Sequence, residues 1–189
     1  LDLNALAHAQ EATRAMVVTT HFETGETRYL EPRGREWLDA LVASASLPLV
    51  TRGKVKFKGE WMFDGGYSDP LPLEKAIELG GQRMLVVRTR PMGDHATQSY
   101  IDSFGSYWYR DNEALAPLFD KGYTRYNDTV DKLLIGGDNE GRTWEEIAPP
   151  FPLSTDSWSV GAKEIAADYR LGMETAMNWW AHRVSKPIS

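Results

Sequence analysis

Two residues, Lys58 and Gly59, are all that separate the alternating runs Lys54-Val55-Lys56-Phe57 and Glu60-Trp61-Met62-Phe63. So short a connection folds two strands back on each other as an antiparallel hairpin, and a glycine within it supplies the positive φ that tight turns require. An earlier stretch follows the same plan. Met16-Val17-Val18-Thr19-Thr20-His21-Phe22 is rich in strand formers, Glu23-Thr24-Gly25-Glu26 reads as a turn, and Thr27 to Leu30 returns as a strand. Helical periodicity runs from Glu36 to Ala45 through Trp37, Leu38, Leu41 and Val42, and Pro48 ends it. A further helix is expected over Asp2 to Ala15.

Beyond the second hairpin, Asp64-Gly65-Gly66 stands where its last strand ends. Leu73 to Leu79 predicts a short helix, closed by Gly80-Gly81 as a C-terminal cap. Met84-Leu85-Val86-Val87 is a continuous apolar run, the pattern of a strand buried on both faces. Strand, loop, helix and strand in that order predict a right-handed crossover and a parallel pair. After Pro91-Met92-Gly93 the strand signals stop. Tyr100, Phe104, Tyr107 and Trp108 share one helical face, as do Tyr126, Val130, Leu133 and Leu134. A polar loop covers Gly136 to Gly141 and an extended segment covers Ala148 to Pro152. The final helix begins near Gly161, with Ile165, Tyr169, Met173, Met177 and Trp180 on one stripe. The pattern as a whole is α/β: residues 1–92 form part of an α/β layer, and residues 93–189 a mostly helical extension.

Charge and composition narrow the function. Twenty-seven acidic against 21 basic side chains give a net charge of −6, which argues against a nucleic-acid partner, since phosphate binding needs a basic surface. No cysteine is present, which removes disulfides, thiolate chemistry and cysteine-ligated metals. His8, His21, His95 and His182 share no metal-ligand spacing and read as surface or structural groups, His21 being of most interest because it follows the first strand. Asp138-Asn139-Glu140-Gly141 lacks the alternating oxygen ligands of a calcium loop and reads as a solvated turn. No metal or cofactor is expected. No apolar run reaches the roughly 20 residues that span a bilayer. The start, Leu1-Asp2-Leu3-Asn4, has neither an initiator Met nor a signal pattern and reads as the middle of a polypeptide. The seven tryptophans read as core packing, with a docking surface as the alternative.

An aspartate before glycine ordinarily makes an Asx-type turn. At the end of a strand, however, its carboxylate can project into a cleft, and the glycines beside it allow close approach of a substrate or a second backbone. Arg33, Arg35, Arg52 and Lys54 flank these elements and are candidate contacts to a phosphate.

The order of these pieces resembles that of the bacterial patatin-like phospholipases. The hairpin Met16 to Leu30 is followed by Ala43-Ser44-Ala45-Ser46-Leu47-Pro48, then Trp61-Met62-Phe63-Asp64-Gly65-Gly66 and the proline loop Asp69-Pro70-Leu71-Pro72. Ala76-Ile77-Glu78-Leu79-Gly80 and Met84 to Val87 complete the pattern. The resemblance implies the C-terminal part of a three-layer α/β/α catalytic domain, with a helical extension of a kind found in one bacterial subgroup. It also implies a Ser-Asp dyad in which Asp64 accepts the proton of a serine, without a histidine, and Gly65 and Gly66 form the active-site loop. In that family the serine lies in Gly-x-Ser-x-Gly, and a glycine-rich loop supplies oxyanion donors. Neither is present in these 189 residues; Gly66-Tyr67-Ser68-Asp69-Pro70 fails the motif at its last position. The expected activity is therefore hydrolysis of an acyl lipid or another ester by a longer, cytoplasmic or membrane-peripheral protein, with the chain alone inactive. Its partners are then an upstream half of the same protein or a second copy. The alternative is a non-catalytic interaction module of the same fold.

Overall fold

The computed structural model describes residues 13–49, 51, 53–155 and 161–185. Most of the helix expected over Asp2 to Ala15 lies outside the described residues, as do His8, Arg52 and Trp158. Helices and strands are mixed, as the α/β reading requires. Two compact units interleave along the chain: Leu1–Pro72 with Ala96–Asn127, and Leu73–His95 with Asp128–Ser189. The change in character at residues 92–93 is thus not where compactness divides the chain.

The first unit is built on both predicted hairpins. Strand β1 (Val17–His21) pairs with β2 (Thr27–Leu30), and β3 (Val55–Phe57) pairs with β4 (Glu60–Asp64). Lys58 and Gly59 both have positive φ, 49° and 95°, the signature of a type I′ turn. β1 and β4 join the hairpins antiparallel, so the sheet runs β2-β1-β4-β3 and Thr19 stands opposite Asp64. Side chains alternate across that sheet. On one face, Val17, Phe57 and Met62 pack against helix α1 (Glu36–Ser44). The buried side of α1 is Trp37, Ala40 and Ala43, whereas Leu38, Leu41 and Val42 of the predicted stripe are exposed. Small side chains such as Ala40 and Ala43 allow a helix to pack closely on a sheet, and Trp37 is buried in the same cluster. On the other face, Phe63 joins Leu115, Leu118 and Phe119, with Phe22, Tyr67 and Tyr109 packed around them.

Helix α2 (Leu73–Glu78) opens the second unit and ends as predicted. The amides of Gly80 and Gly81 bond to the carbonyls of Ile77 and Ala76, with Gly80 at φ 88°, which is a Schellman cap. Strand β5 (Arg83–Val87) contradicts the predicted parallel pair with the preceding strand. Both edges of β4 are already taken by β1 and β3, so no ladder position remains there. β5 instead pairs in parallel with β6 (Thr143–Ile147), a strand that sequence patterning did not reveal. Nor is β5 buried on both faces: Leu85 is 46% and Val87 70% exposed. Just past β5, the buried Arg88 guanidinium holds both oxygens of Glu146, at 3.0 and 3.2 Å. Helix α3 (Tyr100–Trp108) is started by a capping box of Ser99 and Asp102 and lies in the first unit. Helix α4 (Ala116–Ile135) buries Val130 and Leu133 of the predicted face while Leu134 is exposed. Helix α5 (Ala162–Ser185) begins where expected.

Candidate active site

Asp64 is the last residue of β4, and the chain turns immediately into a short 3-10 helix over Gly65–Tyr67. Its carboxylate closes that turn, Oδ1 accepting the Gly66 amide at 2.8 Å. Among the described residues nothing donates to Oδ2. The residue is half-buried, and this burial raises its pKa above the ordinary carboxylate value against the lowering effect of the Gly66 amide. A carboxylate held by one oxygen, open at the other and partly desolvated is a stronger proton acceptor than one in water.

The backbone around it is fixed from several sides. The Asp64 amide donates to the Ser46 carbonyl at 3.0 Å, and the Thr20 hydroxyl on β1 lies 2.7 Å from the Asp64 carbonyl and 2.8 Å from Ser68 Oγ. Arg125 on α4 donates to the Ser68 carbonyl at 3.0 Å, and Tyr29 donates to the Asp69 carboxylate at 2.5 Å. The predicted helical extension therefore contributes directly to holding this turn, through Arg125 and through Phe119 against the ring of Tyr67 at 4.7 Å. The Tyr67 phenol stays protonated, its pKa pushed up by burial and by the neighbouring carboxylates of Asp102 and Asp64.

Gly65 is spatially required, and Gly66 is crowded. A β-carbon on Gly65 would sit within 2.6 Å of the Val18 carbonyl carbon, backbone that cannot yield. One on Gly66 would meet Asp64 Oδ1 at 3.1 Å, crowding the oxygen that closes the turn. We expect Gly65→Ala to cost roughly 1–3 kcal/mol, as overpacking does. Urea melts of the variant check it, and an unchanged midpoint would mean that β1 and the turn are less tightly apposed than described.

Of the candidate phosphate contacts, Arg52 lies outside the described residues, and the other three are placed at the start of α1 and before β3. Arg33 and Arg35 are exposed at the start of α1, whereas Ser46, which bonds Asp64, follows its end. Nine helical residues separate the two ends by roughly 13 Å. Lys54 is placed over the rings of Phe22 and Trp61, 3.8 and 5.1 Å from their centroids. The histidines hold structural positions: His21 is buried and receives the Thr24 amide on Nδ1, His95 pairs with Asp131, and His182 contacts the Asn178 carbonyl. Among the described residues no cluster of side chains could hold a metal ion. Sequence reasoning missed Ser46, Thr20 and Arg125, which act on the turn across separations visible only in the fold.

Comparison with known proteins addresses this same segment. The family model for patatin-like phospholipases matches residues 5–77, which include the first sheet, α1 and the Asp64 turn. A relative, the uncharacterised protein YjjU of Escherichia coli K12, is 29% identical over 146 residues, 76% of this chain. The chain spans 40% of the length of that relative. Over residues 5–77 the chain is thus similar to the patatin-like phospholipases.

Proposed function

We propose that this chain is part of a serine acyl hydrolase, of phospholipase or lysophospholipase type, and contributes Asp64 as the base of a Ser-Asp dyad. The observation that carries the reading is the state of the carboxylate: Oδ1 is anchored by Gly66, and burial keeps the group basic. In the reaction the serine oxygen bonds to the ester carbonyl carbon as its proton passes to Asp64. Collapse of the tetrahedral intermediate breaks the ester bond, and the departing alcohol takes that proton. Water then repeats the sequence on the acyl-serine, releasing the acid. The serine lies outside these 189 residues, in sequence that carries Gly-x-Ser-x-Gly.

A peripheral contact with a lipid surface fits this reading. The α3 face of Tyr100, Phe104, Tyr107 and Trp108 is exposed, and aromatics of this kind suit the boundary between headgroup and acyl chain. Among the described residues no helix is long and apolar enough to cross a membrane.

The test is the pH dependence of kcat/KM for a short-chain ester, measured on a full-length protein containing this chain. A base works only when deprotonated, so activity should fall on acidification, with a midpoint above the ordinary carboxylate range because burial raises the Asp64 pKa. A flat profile down to the acid unfolding limit would remove Asp64 from the chemistry.

A further inference from the structure

Helix α5 is 24 residues long and none of its residues is buried. One side of it nevertheless rests on the second unit. Asp168 accepts the amides of Ser154 and Thr155, both at 2.9 Å, while Trp179 Nε1 donates to Glu145 at 3.2 Å and Arg183 pairs with that same carboxylate. The centre of the predicted stripe is turned about 100° away from this side, with Ile165 at its edge on the same line as Arg183. Ile165, Tyr169, Met173, Met177, Trp180 and Val184 are each 49–69% exposed. Together they present on the order of 700 Å² of mostly apolar side chain, more than monomers usually leave in one patch and close to what each partner buries in a standard interface.

The arrangement of the stripe says what covers it. Ile165 and Val184 lie equally far from the midpoint between Glu174 and Thr175, and so do Tyr169 and Trp180. Met173 and Met177 do so to within one residue. A two-fold axis through that midpoint therefore sets Ile165 against the partner's Val184, Tyr169 against the partner's Trp180 and Met173 against the partner's Met177. Every apolar side chain meets an apolar side chain, and the larger aromatic rings meet each other. A parallel pair would instead set each side chain against its own copy, Tyr169 against the partner's Tyr169 and Trp180 against the partner's Trp180, so the position of introduced cysteines distinguishes the two arrangements. Glu174 of each copy flanks the axis, but it is exposed, where screening keeps the repulsion small.

We infer that the α5 stripe is a self-complementary interface through which two copies of this chain associate, antiparallel, about a two-fold axis near residues 174 and 175. The pairing is isologous, so both copies use the same surface and the assembly closes at two.

The absence of cysteine makes the test clean, because introduced thiols have no native competitor. In sedimentation velocity the 189-residue chain should run at twice its own mass. Met173→Glu should weaken the association by about 10²-fold or more, as charge placed at the centre of an apolar interface does. Its circular dichroism should match that of the parent, since Met173 is half exposed. For geometry, a mixture of Ile165→Cys and Val184→Cys chains should link to each other on mild oxidation. Ile165→Cys alone should not link to itself, because the axis leaves those positions about 28 Å apart. A monomer at the highest soluble concentration overturns the inference, as does association that Met173→Glu leaves unchanged. Self-linking of Ile165→Cys overturns the antiparallel axis. A monomeric chain that binds phosphatidylcholine vesicles through this stripe assigns the surface to lipid instead.

Discussion

Asp64→Asn in a full-length protein containing this chain should lower kcat by at least about 10²-fold, the lower range for losing a general base. The substitution is nearly isosteric, and its amide oxygen can still receive the Gly66 N–H that closes the turn. What disappears is the capacity to accept a proton. The fold should survive, and the direction of the pKa shift says more. Asp64 keeps its proton to higher pH in the folded chain than in the unfolded one, because burial penalises the carboxylate. Stability therefore falls as pH rises from the ordinary carboxylate pKa to the raised one, and above that window the penalty is complete. Asparagine escapes it, so the variant should melt at or above the parent temperature at neutral pH. The advantage should vanish in acid, where both side chains are neutral. Ester turnover and thermal melts at two pH values measure both effects. Near-parental activity with an unchanged melt would make Asp64 an ordinary turn residue.

What was legible in the sequence was local. The Lys58-Gly59 turn, the Gly80-Gly81 cap and the start of α5 each depend on a few neighbouring residues, and each stands where the residues put it. Pairings between distant segments were another matter. The apolar run of β5 reads as a central strand, but its partner Thr143-Trp144-Glu145-Glu146-Ile147 carries two glutamates that hide its strand character. The fold answers one of them with the buried Arg88 and the other with Trp179 and Arg183, across separations that no local window spans. The α1 stripe failed for a different reason. Periodicity locates a helix, but which face turns inward is decided by how closely the helix approaches the sheet, and Ala40 and Ala43 decide it here. At the candidate site, the motif exposed Asp64 and its glycines, while the groups that hold the turn, Thr20, Ser46 and Arg125, became visible only through their hydrogen bonds.

Those same hydrogen bonds bear on the second large effect, which is that the 189-residue chain by itself should show no ester hydrolysis above buffer. A dyad needs a hydroxyl within reach of the carboxylate whose proton can leave and whose oxygen can meet a substrate. The hydroxyls around the Asp64 turn do not qualify, and Thr19 opposite it is fully buried with its hydroxyl toward the Arg28 carbonyl at 3.4 Å. Ser46 is buried and donates to the Val42 carbonyl at 2.6 Å. Thr20 is fully buried, with its oxygen held between the Asp64 carbonyl and Ser68. Ser68 is buried too, engaged with Thr20 and facing the Gly65 carbonyl. Each oxygen is packed away from solvent, so an ester cannot approach along a line of attack, and each proton is already committed to backbone or to a neighbouring hydroxyl. A base without a nucleophile does not form an acyl-enzyme. Purified chain should therefore leave p-nitrophenyl butyrate untouched and take up no fluorophosphonate label, while the full-length protein does both. Turnover that persists in the isolated chain through repeated purification would refute the dyad. If Ser68→Ala then abolished it, the nucleophile would lie inside this turn, and the chemistry assigned to the missing serine would have to move there.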